Sequence, residues 1–344
     1  MMKMKYILHA AALAAATILV LPDSSYSSYF SSSDSYYTTN IEESDASRVE
    51  RFAVDGHVEL EAKTIGGWIE ILQGSNDEVK VEMFVERSFR LFGRDQSLDQ
   101  HRIIIDERDN RVRAVAEPRG DGGPMVSFRI TVPEETSARA KSTGGRISVR
   151  DLSGNHRITG TGGAVEVNGV SGKTQVQITG SPLKAGNING SFHVEGIGGS
   201  IFASNVNGEA RIRSRGGQVQ VLNVEGALLI ENIGGNVLAH IEKLGEGVKI
   251  NSQAGSIDFI IDEDDAYDLH AQSTVASDVN LYEGISSAAL TEIFSGDHIE
   301  RASIASLASK RESSGSTLKL HNGSVPVDLI DELGRINVYM ISSE

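Results

Sequence analysis

Apolar and polar residues alternate along most of this chain, and from residue 144 the alternation returns at a fixed interval. Gly-Gly pairs stand at 144/145, 162/163, 198/199, 216/217 and 234/235. The one missing rung, at 180/181, reads Gly180-Ser181, so every step is eighteen residues. Counted from the second Gly, position +2 holds Ile147, Val165, Leu183, Ile201, Val219 and Val237. Position +4 holds Val149, Val167, Ala185, Ala203, Val221 and Ala239, and position +13 holds Ile158, Val176, Val194, Ile212 and Ile230. A constant period of this size marks a repeat architecture, and period-two alternation within it marks strands with one buried face. The pattern predicts an all-β fold: a single-stranded β-solenoid (β-helix) of about 18 residues per coil, with irregular terminal coils.

In that reading, positions +2 and +4 point inward from one strand and +11 and +13 from a second. The corners fall at Gly145, Gly154, Gly163, Gly172, Gly190, Gly199, Gly208, Gly217, Gly226 and Gly235. There the chain must turn with positive φ or approach its neighbour closely. Asn187, Asn205 and Asn223 share position +6, where Asn tolerates the left-handed conformation and can bond its counterparts along the stack. Coils then repeat at strand spacing, about 4.8 Å, and each core residue touches its equivalents above and below.

The regular coils span 144–255 within a solenoid expected over 48–341. Alternation also runs through Val58–Val85 and Phe128–Val132, while 86–124 and 284–313 are loosely patterned. After Gly235 the period gains two residues before Ala254-Gly255. Terminal coils must cap an open stack, so irregularity there is expected. Ahead of the solenoid, Lys3 and Lys5 precede an apolar run from Tyr6 to Leu21, and a Ser/Tyr-rich stretch follows. These predict a signal peptide over 1–25 and a disordered tether over 26–47. The alternative is an uncleaved anchor, but the run is shorter than the ~20 residues that span a bilayer. An exported protein follows, in the periplasm, at the cell surface or secreted, with no stable membrane span after cleavage.

Charge and composition narrow the function classes. A net charge of −15 disfavours nucleic acid and broad attachment to anionic lipid. With no cysteine, disulfides, thiolate metal sites and Cys nucleophiles are excluded. Thirty-six glycines suit many tight turns and argue against helical packing.

Candidate chemistry is sparse. Eighteen residues is also the coil size of hexapeptide-repeat acyltransferases, but the apolar spacing does not divide by six, and His156, His193 and His240 occupy unrelated positions. His156, at +11, reads as a core or corner filler. Calcium-binding β-rolls place a carboxylate in every half-coil, which this repeat lacks. Asp258, Asp262-Glu263-Asp264-Asp265 and Asp268 form the densest acidic cluster, read as a solvated turn with calcium as the alternative. Arg211, Arg213 and Arg215 line one outward strand near Glu195 and Glu231 and form the candidate binding face. Stacked opposite charges account for them without a function, whereas a polysaccharide lyase would use such a cluster. Phe202 and Leu238, both at outward +3, are expected to be exposed and could form a partner patch. No Ser-His-Asp order, Walker loop or zinc spacing is present, and no catalytic, cofactor or metal residue is assigned.

The strand-then-proline entry Phe128-Arg-Ile-Thr-Val-Pro133, the stretch Ser142-Thr-Gly-Gly-Arg-Ile-Ser-Val149 and coils such as Gly163-Ala-Val-Glu-Val-Asn-Gly-Val-Ser-Gly172 carry a resemblance. Over roughly 51–340 the chain resembles the bacterial putative-adhesin family with β-strand repeats, a family of unknown function. The resemblance implies a β-solenoid and a role in adhesion, and it brings no catalytic residues. The expected function is therefore an exported, non-enzymatic adhesin or cell-envelope binding or scaffold protein. Its partner would be a surface glycan or envelope protein, with self-association through exposed ends and edges. The alternative is a carbohydrate-active β-helix enzyme, a polysaccharide lyase or hydrolase.

Overall fold

The computed structural model describes residues 42–86, 98–120, 123–274, 279–286 and 310–342. The expected signal peptide, most of the tether and the stretch 287–309 lie outside the described residues. Among those described, the regular structure is strand, with two single-turn 3₁₀ segments beside it. Ahead of the repeat come β1 (Arg48–Ala53), β2 (Val58–Ile65), β3 (Ile69–Gln73), β4 (Glu78–Glu86), β5 (His101–Arg108), β6 (Arg111–Pro118) and β7 (Met125–Val132). The repeat begins with β8 (Thr136–Thr143), β9 (Ile147–Arg150), β10 (Ser153–Thr161), β11 (Val165–Asn168) and β12 (Ser171–Thr179). Four long bent strands continue it: β13 (Leu183–Ile197), β14 (Ile201–Arg215), β15 (Val219–Ile233) and β16 (Val237–Ser252). The chain closes with β17 (Ser256–Asp262), β18 (Tyr267–Ser273), β19 (Val279–Ser286), β20 (Lys310–Gly315), β21 (Thr317–His321), β22 (Val325–Asp331) and β23 (Arg335–Ser342).

These strands wrap into a solenoid with two main faces. A narrow face takes positions +2 to +5 of each coil, and a broad face takes +8 to +16. Successive coils pair in parallel with the eighteen-residue offset read from the sequence, as in Ile201↔Val219 and Ile212↔Ile230. Side chains at +2, +4, +7 and +13 are buried throughout and merge into one continuous core. Burying each Val or Ile contributes about 1.5–3 kcal/mol, and every coil needs neighbours on both sides to collect it.

Each Gly-Gly corner uses its two residues differently. Gly198, the first of its pair, has φ +74°, and its N–H donates to the carbonyl of Arg215 in the next coil. The second, Gly199, needs the absence of a side chain, because a Cβ there would run into the carbonyl oxygen of Ser181 on the coil before. Asn187, Asn205 and Asn223 adopt φ of 52°, 53° and 55°, as their shared position predicts.

The stacking order departs from chain order at both ends, and in the same way. β2 lies between β6 and β8, and β3 lies between β7 and β9. At the far end β22 lies between β16 and β18, and β23 lies between β17 and β19. The first and last coils of the sequence are therefore interior coils of the stack. Outside them the edges are finished by antiparallel strands: β1 on β4 and β5 on β6 at one end, β20 on β19 and β21 on β18 at the other. An open parallel edge would leave a row of unpaired backbone groups. The edge strand β1 instead carries Arg48, Glu50 and Arg51, and Arg51 is bound to Glu43.

The irregularity expected at the ends takes a definite form: coils there stack on a spatial neighbour that is not their sequence neighbour, antiparallel strands flank them, and β19 shifts register against β23. Gly67 and Gly334 continue the corner column: a Cβ at Gly145 would strike the carbonyl of Gly67, and one at Gly334 the carbonyl of Gly255. The two extra residues after Gly235 are taken up by register shifts between β15 and β16, after which the pairing runs Leu228↔Val248 and Ile230↔Ile250.

Val176→Asp places a carboxylate in the core and should destabilise the protein by more than about 4 kcal/mol. Gln175→Asp, on the neighbouring outward position, should change it by less than about 0.5 kcal/mol in urea denaturation. Deleting residues 317–344 removes an interior coil. It should lower the unfolding midpoint of the whole chain and broaden its transition, where loss of a peripheral end coil would leave the midpoint unchanged.

Candidate binding face

Alternation along each strand sends one residue in two outward, and stacking lines these residues into straight columns. On the broad face, three consecutive strands form a distinct block. β8 presents Arg139, Lys141 and Thr143; β10 presents Arg157, Thr159 and Thr161; β12 presents Gln175, Gln177 and Thr179. Lys173 borders it on β12. Arg139, Lys141, Arg157 and Lys173 are exposed, and the nine-residue block contains neither a carboxylate nor an apolar side chain.

Further along the same face the chemistry changes. Arg211 donates to Glu209 at 3.1 Å, and Arg213 is bound to Glu231 at 2.5 Å. Arg215 stands between Ile197 and Ile233, which are 51% and 47% exposed. The three arginines read from the sequence do share one outward strand, but carboxylates hold two of them. Glu195 accepts from Gln177 at 3.3 Å and adds to the field that raises the Arg213 pKa, behind Glu231 itself.

The outer side of the narrow face is a mixed surface. Its central column runs Glu82, Arg129, Glu70, Ser148, Glu166, Lys184, Phe202, Gln220, Leu238, Asp258, Asn337 and Asn280. The first half is charge-paired: Arg129 binds Glu70 at 2.9 Å, and Glu166 holds Arg146 and Arg150. Burial pushes the Glu166 pKa up, but the two arginines outweigh it and the net shift is downward. The second half sets buried polar residues, Gln220, Asp258, Asn337 and Asn280, among apolar ones. Leu222, Leu238, Ile260, Ile285, Tyr339 and Ile341 form a second buried cluster, with Phe202 and Tyr282 packed against it. This corrects the expected exposure of Phe202 and Leu238: both face outward from the sheet, yet Leu238 is buried within this second cluster and Phe202 is half-buried against it. Asp258 sits in the same region, accepting from Asn337 Nδ2 at 2.7 Å and Tyr339 at 3.4 Å.

Asp258 is therefore apart from the acidic turn with which the sequence groups it. Residues 263–266 link β17 to β18; Asp262 caps the turn through the N–H of Asp264, and Asn322 donates to the carbonyls of Glu263 and Asp265. Burial, then the Asp262 charge, raises the pKa of Asp265. Among the described residues no group of three or more His, Asp or Glu is placed to hold a metal ion.

Of the three histidines, His156 is a core residue at +11 beside Thr174, and burial lowers its pKa. His193 contacts Ser191 at 3.0 Å on the broad face. His240 ends an amide ladder. Asn187 donates to Asn168, Asn205 to Asn187 and Asn223 to Asn205, at 2.9–3.0 Å. Because the amide nitrogen of Asn223 is used in that ladder, its oxygen is left to accept, and His240 Nδ1 lies 3.0 Å away as the donor.

The block on β8, β10 and β12 escaped the sequence reading for a topological reason. Arg139 and Lys141 precede the first Gly-Gly pair, and the coil they stack on (β2, with Lys63 beside Lys141) is far away in sequence. Extending positions +12 and +14 one coil upstream would have revealed them.

The Toastrack DUF4097 family profile matches residues 69–289, from β3 through the whole regular repeat to β19 and a little beyond. The chain belongs to that family. This bears out the resemblance to a strand-repeat family of unknown function. Among solved structures the chain is similar to a putative cell adhesion protein from Clostridium sporogenes. That likeness has 7% identity, covers 86% of this chain and 99% of the other, and has a TM-score of 0.25. No curated protein matches. The Toastrack match contains the polar block, the three arginines and His240, and stops short of the intercalated coil formed by β22 and β23.

Burial pushes the His240 pKa from 6.5 down to about 4. The folded state therefore holds the neutral ring, while the unfolded chain takes a proton near pH 6.5. Stability from this group is fully present above pH 6.5 and is lost as pH falls toward 4, by roughly 3 kcal/mol at 1.36 kcal/mol per pKa unit. His240→Asn should flatten that slope in urea denaturation at pH 7 and pH 4, leaving the contributions of His156 and His101, whose pKa values burial also lowers.

Proposed function

We propose that this Toastrack protein is an exported, non-enzymatic β-solenoid that serves as an adhesin or as a binding or scaffold protein of the cell envelope. The observation that carries the reading is the broad face: an open surface built on rigid stacked strands, with side chains in straight columns. A surface of that form suits an extended partner such as a surface glycan or an envelope protein. Export is supported by Lys3, Lys5 and the apolar run that follows them. The alternative, a polysaccharide lyase or hydrolase centred on Arg211–Glu231, would need a free cation beside a cleft. Arg211 and Arg213 are instead held by carboxylates on an open strand.

Two measurements test the proposal together. Cell fractionation should place the mature chain outside the cytoplasm, and removal of residues 2–25 should retain it inside. Incubation with cell-wall and plant polysaccharides should leave them unshortened; turnover that disappears in Arg213→Ala would replace this reading with the enzymatic one.

A further inference from the structure

We infer that the block formed by β8, β10 and β12 is a binding site for an extended, carboxylate-bearing polysaccharide. The inference rests on the adhesin reading and gives it a ligand class and a location. It begins from an anomaly in charge. The chain carries 47 acidic and 32 basic residues, and many of its cations on the strands find carboxylate partners: Arg111 with Glu59, Arg113 with Asp106, Arg129 with Glu70 and Arg213 with Glu231. In the block they do not. Arg139 stacks directly on Arg157, and Lys141 stacks on Lys63, in adjacent columns of adjacent coils. Like charges placed opposite one another on a sheet destabilise it.

The local partners do not relieve this. Lys63 is bound to Glu117 at 2.5 Å, and Arg157 donates to the amide oxygen of Gln175 at 3.1 Å. Glu61 is in register with Arg139, but no ion pair forms between them. Among the described residues, Arg139, Lys141, Arg157 and Lys173 have no carboxylate within ion-pair reach. In so acidic a chain, one Thr-to-Glu change would supply one. A ligand anion laid across the columns would remove the repulsion that the protein leaves in place.

The chemistry around the cations selects the ligand. Arg139 and Arg157 offer planar forks suited to carboxylates. Thr143, Thr159, Thr161, Thr179, Gln175 and Gln177 surround them with hydroxyls and amides that match a hydroxyl-rich chain. The cations are exposed in straight columns on stacked strands, which suits an extended partner: the side chains repeat at about 4.8 Å between coils and about 7 Å along each strand. The block presents no aromatic ring on which a nucleic-acid base could stack.

The test measures binding of the full chain to polygalacturonate oligosaccharides by calorimetry, with dextran and single-stranded DNA as references. The wild-type chain should bind polygalacturonate, less tightly as salt rises, and leave its length unchanged. The triple variant Arg139→Gln, Lys141→Gln, Arg157→Gln should lose about tenfold or more in affinity, while Arg211→Gln, Arg213→Gln stays within about twofold. The triple variant should melt at the same or a higher temperature, since the substitutions are outward and remove like-charge neighbours, so lost binding cannot be lost folding. Absence of wild-type binding, equal affinity in the triple variant, or DNA bound as tightly would overturn the inference. Binding to dextran alone would overturn this site while leaving the adhesin reading standing. Shortening of polygalacturonate would overturn the adhesin reading itself.

Discussion

Everything in this fold depends on one close contact, the approach of each Gly-Gly corner to the corner before it. The carbonyl oxygen of one coil occupies the space that a Cβ on the next would need, as Ser181 does for Gly199 and Gly217 does for Gly235. That approach keeps the parallel hydrogen bonds running around the bend, from Gly144 to Thr161 and from Gly216 to Ile233. Once the corners are this tight, the inward residues of adjacent coils have no freedom of register. Each inward residue must meet its counterpart one coil on, as Leu183 meets Ile201 and Ala185 meets Ala203. A parallel sheet buried on its inner side and pinned at its corners becomes a rigid rod whose outward positions are free to vary.

A rod of this kind has a problem at its ends, and the chain solves it by placing its first and last coils in the interior. β2 and β3 are gripped on both sides by strands that come much later in the chain, as in Val58↔Thr136 and Ile69↔Ile147, and β22 and β23 by strands well before them, as in Val248↔Val327 and Ile257↔Ile336. The core therefore joins the two chain termini to the central repeat, and short antiparallel strands with charged residues finish the edges. The same arrangement makes the outer columns continuous from one end to the other, which is what gives the broad face its length.

Much of this was legible from residue spacing. The inward columns, the corner glycines and the left-handed asparagines all follow from the eighteen-residue period, because each is a local demand repeated at every coil. The asparagine ladder even extends to His240, which completes it from the next coil. What could not be read was anything that depends on which coil lies next to which when sequence order is broken. The order of β2 and β22 is invisible to periodicity. So is the stacking of Lys141 on Lys63, and so is the burial of Leu238, which a single outward position suggested would be exposed. Arg211 and Arg213 drew attention because they lie in the regular repeat, where neighbours can be counted; Arg139 and Arg157, which stack on each other without a carboxylate, lie partly upstream of it.

The intercalated ends are the central claim, and amide hydrogen exchange followed residue by residue tests them most directly. Interior coils should open only with the stack as a whole, so the amides of β2, β3, β22 and β23 should exchange as slowly as those of β14 and β15, despite their place near the chain ends. Protection that falls away steadily from the central repeat toward both termini would contradict the account.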